Sequence, residues 1–260
     1  MGGLFDLSGR RAVITGSSRG IGKAIAERMA EHGARVVISS RKAEPCQEVA
    51  QAIKARFGAD RALAIPANIS DKAALEALVA QTREAWGGID ILVCNAASNP
   101  YFGPGDGIAD EQYQKIFQNN ILSNHWLSTL VASEMADRGE GVILLISSIA
   151  GLRGSHFLGA YAVSKAADMQ HARNLAVELG PKGVRVNTIA PGLVKTDFAR
   201  ALWENPDVAK ALEAKAPLRR LGEPDDIAGV AVFLASPAGA FVTGQTIVAD
   251  GGVTIEESGI

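Results

Sequence analysis

Arg11-Ala12-Val13-Ile14-Thr15-Gly16-Ser17-Ser18-Arg19-Gly20-Ile21-Gly22-Lys23-Ala24 is the stretch whose reading decides the fold. An apolar run from Ala12 to Thr15 has the character of a buried strand, and from Ile21 to His32 the pattern becomes helical. Between them, glycines at 16, 20 and 22 permit a tight turn, close approach of the backbone to a pyrophosphate, and close packing of helix on strand. The amides that open the helix point at the anion. The spacing is not the common G-x-G-x-x-G, and a glycine turn before a helix also serves purely structural ends, so the remainder of the chain has to decide.

Outward from this turn, short β-branched runs alternate with longer helical patterns. Strands are expected at Ala12 to Thr15, Arg35 to Ser39, Ala62 to Pro66, Ile89 to Cys94, Val142 to Ser147, Val184 to Ile189 and Thr246 to Ala249. Helices are expected at Ile21 to His32, Glu44 to Phe57, Lys72 to Trp86, Asp110 to Arg138, Ala160 to Leu179 and Asp225 to Ala235, with Asp71 and Asp110 as N-caps. Runs such as Val142-Ile143-Leu144-Leu145-Ile146 imply burial on both faces. The expectation is an α/β fold: a single-domain, Rossmann-type, doubly wound parallel sheet of about seven strands covered by helices on both faces, over residues 1–260. The alternation breaks at 193–222, where Phe198, Leu202 and Trp203 lie on an irregular segment read as a substrate lid.

Bulk composition narrows the partners. Twenty-six basic and 28 acidic residues leave a formal charge of -2, which gives no general pull toward nucleic acid or an anionic bilayer, so a small molecule is the expected partner. Cys46 and Cys94 form no paired framework or metal-type spacing, and His32, His125, His156 and His171 form no close ligand pair, so no metal is expected. No apolar run reaches membrane-spanning length. Met1 to Asp6 lacks a signal or myristoylation pattern and Ser258-Gly259-Ile260 lacks a peroxisomal address, which makes the cytoplasm the default expectation.

Four further motifs follow the glycine turn in order: Cys94-Asn95-Ala96-Ala97, Ser148, Tyr161-Ala162-Val163-Ser164-Lys165, and Pro191-Gly192-Leu193-Val194-Lys195-Thr196. With Thr15 to Gly22, which is similar to TGxxxGxG, they resemble the short-chain dehydrogenase/reductase family from Leu7 to Gly252. Two positions depart from that pattern: Ala97 where the family usually has Gly, and Asn68 where it usually has Asp. The resemblance implies a hydride-transfer enzyme acting on carbonyls and alcohols. It assigns cofactor contacts to Gly16, Ser18, Arg19, Gly20, Ile21, Gly22, Ser40, Arg41, Asn68, Ile69, Asn95, Ala96, Ala97, Tyr161, Lys165, Pro191, Gly192, Val194 and Thr196. Ser40 stands where NAD-type relatives carry Asp, while Arg41 and Arg19 are cations suited to a 2′-phosphate, so NADP(H) is expected to be preferred, with NAD(H) possible.

The chemistry requires a proton donor at the substrate oxygen. A tyrosine used at neutral pH calls for a nearby positive charge, since an ordinary phenol ionises near about 10. Tyr161 and Lys165 stand at i and i+4 of a helical stretch and share a face. The family spacing selects Ser148 over Ser147 to bind the oxygen, and Asn120 over Asn119 as the fourth catalytic residue; a local kink at Asn120 is the plainer alternative. Three stretches, Asn95 to Gly103, Ala190 to Thr196 and Arg219 to Pro224, resemble the NADPH-dependent carbonyl and retinal reductase subgroup. Ser98, Tyr101, Phe102, Ser148, His156, Phe157, Phe198 and Trp203 are the candidate substrate-pocket residues, although part of this aromatic set equally suits packing of the lid. The alternatives are a 3-oxoacyl-[acyl-carrier-protein] reductase, an alcohol or sugar dehydrogenase, and a non-catalytic cofactor-binding regulator. By the same resemblance, a homotetramer or homodimer paired through the helices at 110–138 and 160–179 is expected.

Overall fold

The computed structural model describes residues 3–255; the readings made at Met1-Gly2 and at Ser258-Gly259-Ile260 lie outside the described residues. The apolar runs form seven strands: β1 (Arg11–Thr15), β2 (Arg35–Ser39), β3 (Ala62–Ala64), β4 (Ile91–Cys94), β5 (Gly141–Ile146), β6 (Val184–Pro191) and β7 (Thr246–Ala249). All pair in parallel, in the order β3-β2-β1-β4-β5-β6-β7. Parallel neighbours need crossovers, supplied by α1 (Gly20–Glu31), α2 (Ala43–Phe57), α3 (Lys72–Trp86), α4 (Asp110–Phe117), α5 (Ser123–Arg138), α6 (Gly159–Leu179), α7 (Arg200–Trp203), α8 (Pro206–Ala214) and α9 (Pro224–Ala235).

Alternation along the strands divides the core in two. Ala12, Ile14, Val36, Ile38, Ile91, Val93 and Leu144 pack with α1, α2 and α9, whereas Val13, Val37, Leu92, Ile143, Leu145 and Val186 pack with α3, α5 and α6. Both faces of the sheet are therefore dry, which is why the strands read as continuous apolar runs. At the amino edge, the Asp90 carboxylate accepts from Arg11 Nε at 2.7 Å, Arg11 Nη2 at 2.7 Å and the Arg11 amide at 2.9 Å, tying the entrance of β4 to β1.

Two expectations need correction. The single helix from Asp110 to Arg138 is interrupted by a π-helical turn at Gln118–Leu122. The wider turn is supported by side chains that bond its carbonyls: Ser123 Oγ donates to Asn119 O at 2.6 Å and Asn124 Nδ2 to Asn120 O at 2.8 Å. Asp110 is also not an N-cap. Ala109 holds that position and accepts no side-chain role, while Gln112 Oε1 accepts from the Ala109 amide at 3.2 Å; Asp110 lies in the first turn, where its charge suits the helix dipole. Asp71 does cap α3, accepting from the amides of Ala73 and Ala74.

Segment 193–222 carries the short helices α7 and α8. Its ends are held together by Lys195 N donating to Gly222 O and Gly222 N to Leu193 O, both at 2.9 Å. Asn205 caps α8 and Pro206 follows at a position that needs no amide hydrogen.

Candidate active site

The strand order reverses between β1 and β4, and open α/β sheets bind ligands in the crevice outside the carboxyl ends of strands at such a point. Gly16 and Gly20 adopt φ of 65° and 56°, a region that side chains strain to enter. A Cβ on Gly22 would lie 2.5 Å from both Gly16 O and Asn95 Nδ2, so α1 starts flush against the turn. Arg19 offers α1 no side-chain cap, and the first-turn amides are left to an anion. The residues present thus fit a dinucleotide pyrophosphate.

The turn is clamped from β4. Asn95 Nδ2 donates to Thr15 O at 2.9 Å and Gly16 O at 3.2 Å, and Thr15 Oγ1 accepts from the amides of Asn95 and Ala96 at 3.0 and 3.1 Å. Asn95 therefore spends its side chain on the loop backbone. Thr15 and the buried Ser17, which joins Ile14 O to the Ser39 amide, belong to this clamp although the sequence did not single them out. At the end of β2, Ser40 Oγ lies 3.1 Å from Cys46 Sγ, and Arg41 and Lys42 form no ion pair among the described residues. Arg19 Nη1 is 3.4 Å from Asp197 Oδ2, both exposed. Asn68 Oδ1 accepts from the Ser70 amide, and Ile69 packs on the second core. Ala97 is half-buried, Pro191 and Val194 are buried, and a Cβ on Gly192 would lie 2.8 Å from Asp250 Cα just after β7.

Tyr161 and Lys165 sit one turn apart on α6, with Lys165 Nζ 5.7 Å from the phenol ring centroid. Lys165 is 2% exposed; its ammonium donates to Ile146 O at 2.8 Å and Asp168 Oδ2 at 3.1 Å. Burial is the largest influence and opposes its charge, but Asp168, together with Tyr161 and Cys94, holds Lys165 above the ordinary lysine range. Ser148 follows β5, and the turn after it, Ile149–Leu152, lies directly on α6, where a Cβ on Gly151 would meet Ala166 N at 2.6 Å. Ser147 is a packing residue, donating to Lys165 O at 2.6 Å.

Asn120 lies inside the π-turn and is fully buried, so the local irregularity expected there is present. Its Oδ1 accepts from the Ser98 amide at 2.9 Å, and its Nδ2 donates to Ser98 O at 3.1 Å and Ser164 Oγ at 3.0 Å. Ser164 Oγ in turn donates to Tyr161 O at 2.7 Å. Ser98, read from sequence as a pocket residue, is thus held by Asn120, and by Asn119 through its hydroxyl at 2.9 Å.

The aromatic candidates divide. Phe102 and Phe157 stack at 5.4 Å with His156 beside them, and Phe198 lies 6.2 Å from the Tyr161 ring. Trp203 Nε1 donates to Thr196 O at 2.8 Å, and Tyr101 donates to Pro104 O at 2.7 Å within its own loop. A cavity of about 150 Å³ adjoins the turn after Ser148, lined by Ile149, Arg153, Leu193, Leu212, Leu221 and Val253 among others.

With its glycine turn at the crossover of a parallel sheet of this order, a tyrosine one turn from a buried lysine on α6, and the relatives below, the protein is an NAD(P)-dependent oxidoreductase acting on CH–OH or C=O groups. The family model described as enoyl-(acyl carrier protein) reductase matches residues 16–254. The chain belongs to the short-chain dehydrogenase/reductase family. It is 40% identical over 247 residues to dehydrogenase/reductase SDR family member 4 of Oryctolagus cuniculus, covering 95% of this chain and 94% of the relative. A gluconate 5-dehydrogenase from Burkholderia cenocepacia, solved with NADP and tartrate, superposes with a TM-score of 0.92 at 32% identity, covering 98% of each chain. A 7α-hydroxysteroid dehydrogenase, solved with NADH and 7-oxo glycochenodeoxycholic acid, superposes with a TM-score of 0.91 at 38% identity, covering 96% of each. Among the described residues no helix is long and apolar enough to cross a membrane.

Proposed function

We propose that the protein is an NADP(H)-dependent reductase of ketones and aldehydes that also runs in the direction of alcohol oxidation. The observation that carries this reading is the Tyr161 phenol on the same helical face as a buried ammonium 5.7 Å from its ring. Ser148 and Tyr161 bind the substrate oxygen, and Tyr161 gives its proton to that oxygen in reduction and takes it back in oxidation. Lys165 supplies the positive charge that stabilises the phenolate left behind. Asn120 fixes Ser98 and, through Ser164, the Tyr161 carbonyl, and the family resemblance assigns it the water through which the proton is replaced. When bound, the nicotinamide supplies or accepts the hydride at the substrate carbon. The glycine turn from Gly16 to Gly22, with Asn68, Ile69, Ala96, Ala97 and the segment from Pro191 to Thr196, would hold the dinucleotide.

A preference for the 2′-phosphate is supported by Ser40, where a carboxylate would repel it, and by the cations Arg41 and Arg19. Segment 193–222 acts as the lid, a role supported by Phe198 against Tyr161 and by the Trp203 bond that folds α7 back on Thr196. Pairing of copies through α5 and α6 is supported by exposed Leu122, in the turn before α5, and exposed Val163 and Val177 on α6, and sizing in solution tests it.

The experiment is NADPH consumption across a panel of ketones and aldehydes, with the wild type and Tyr161→Phe compared. Turnover should fall about a hundredfold or more in the variant while the dinucleotide Kd is retained. A fully active Tyr161→Phe enzyme refutes the acid assignment; a clear preference for NADH refutes the cofactor assignment.

A further inference from the structure

Lys165 and Asp168 stand three residues apart on α6, and both are buried, at 2% exposure each. An ammonium has three donors and no acceptor. Two of these donors are spent on Ile146 O and Asp168 Oδ2, and Asp168 Oδ1 accepts from Asn124 Nδ2 at 2.9 Å. Burying a cation is costly unless an anion stands beside it with its own bonds complete. Burial also pushes the Asp168 carboxyl up, opposed by Lys165 and Asn124, and Asp168 is the carboxylate among the groups that face Lys165 within the described residues. The other groups facing the pair are, on α6, Tyr161 and His171; on α5, Asn124 and, across His171, His125; on β4, Cys94; and on β5, the Ile146 carbonyl. Burial pushes the Cys94 thiol up, and Asp168 adds to that, so the thiol is neutral. Burial pushes His171 down, and His125 adds to that, so the imidazole is neutral as well.

We propose that Asp168 is a positioning residue for the reaction: its carboxylate keeps Lys165 in the ammonium form within a dry pocket and fixes where that charge lies relative to Tyr161. The inference rests on the reading of Tyr161 as the acid and base only for its consequence in turnover; the state of Lys165 is independent of it. With a neutral residue at 168, burial is opposed by much less, and the lysine sheds its proton at lower pH. The phenolate then loses its stabilising charge, and alcohol oxidation requires higher pH.

The test is the titration of Lys165 in protein free of dinucleotide, read from the ¹³Cε resonance of labelled lysine and assigned by its absence in Lys165→Met. Asp168→Asn should lower the Lys165 midpoint by at least about one pH unit, a tenfold rise in the neutral amine at a given pH. Asp168→Glu should keep it near the wild-type value. In the pH profile of kcat/KM for alcohol oxidation, the rising limb of Asp168→Asn should move to higher pH, with Asp168→Glu restoring it. An unmoved Lys165 midpoint in folded Asp168→Asn overturns the proposal. Asp168→Ser, smaller and neutral, is the second variant. If neither neutral variant folds, Asp168 is a requirement of the core and the proposal falls. A moved midpoint with a fixed kcat/KM limb sustains the coupling to Lys165 and overturns Tyr161 as the acid.

Discussion

Replacing Gly22 by alanine sets two effects of opposite sign against each other in the phosphate turn. Gly22 is helical, and alanine in a helix interior is favoured by up to about 1 kcal/mol. Against this, the new Cβ would lie 2.5 Å from Gly16 O, 2.9 Å from Gly16 C and 2.5 Å from Asn95 Nδ2, where ordinary contact needs about 3.5 Å or more. Because both contacts fall below that distance, the turn must move away from α1 and Asn95 must let go of it. Overpacking of this kind costs about 1 to 3 kcal/mol. Loss of the Asn95 bonds to Thr15 O and Gly16 O adds about 1 kcal/mol each. The clash therefore wins, by about 2 kcal/mol or more after the helix gain is subtracted. Guanidinium unfolding of the dinucleotide-free protein should show a lower midpoint with an unchanged slope. Dinucleotide affinity should fall by about tenfold or more, because the amides no longer sit where the pyrophosphate needs them. A Gly22→Ala protein as stable as the wild type, or more so, would refute the reasoning and leave helix propensity as the governing effect.

At the end of β2, the Ser40 hydroxyl makes local contacts, to Cys46 Sγ at 3.1 Å and Lys42 O at 3.4 Å, while its carbonyl, which a substitution leaves in place, accepts from the Ala67 amide, so Ser40→Asp should fold normally. A carboxylate there should shift the ratio of kcat/KM values toward NADH by roughly tenfold, about 1.5 kcal/mol for a charge-assisted bond to the ribose; an unchanged ratio removes Ser40 from cofactor choice. At the opposite edge of the sheet, burial pushes the Asp90 carboxyl up, but bonds from Arg11, with the charge of Arg138, hold it below the usual carboxylate range. Its stabilisation is thus complete above about pH 4, the ordinary carboxylate value, and is lost as pH falls through the lowered one. Asp90→Asn should therefore be less stable than the wild type at pH 7 but lose less on acidification to pH 3, and parallel curves in urea unfolding would exclude the ion pair as the cause.

The sheet was legible because its strands are buried on both faces and need no long-range information beyond hydrophobic runs: β2, β7 and α3 have the bounds expected of them, and the other strands differ only at their ends. The break in the helix at 118–122 was not legible. Asn119 and Asn120 signalled a poor helix interior, but what sustains a π-turn is the pair of bonds from Ser123 and Asn124, and those side chains read equally well as surface residues. The candidate site was legible where spacing along the chain equals proximity in space, as for Tyr161 and Lys165. It was opaque where contacts cross elements: Thr15 reaching Asn95, Gly151 lying on α6, Asn124 reaching Asp168. Asp168 has a local signal, a carboxylate three residues after Lys165, but such spacing usually marks an exposed pair on a helix, and its burial cannot be seen along the chain.

The polar contacts between α5 and α6 explain why this site needs more than its motif. Asn120 bonds Ser164 and Asn124 bonds Asp168, two rungs spaced four residues apart on both helices, so the helices run parallel and in register. Beyond them the contact turns apolar, with Leu127, Val131 and Met135 on one helix and Ala172, Ala176 and Leu179 on the other. Apolar packing tolerates small rotations, because dispersion contacts are individually weak and replaceable. Buried rungs do not: turning α6 by one residue, about 100°, would strand an amide, a carboxylate and an ammonium without partners at a cost that exceeds any repacking gain. The apolar half thus holds α6 against the sheet, and the polar half sets its rotation at the carboxyl edge. Under the proposed function, that rotation is what would turn the Tyr161 hydroxyl toward the crevice, and Asn120 and Asn124 would act on phenol orientation without bonding the phenol.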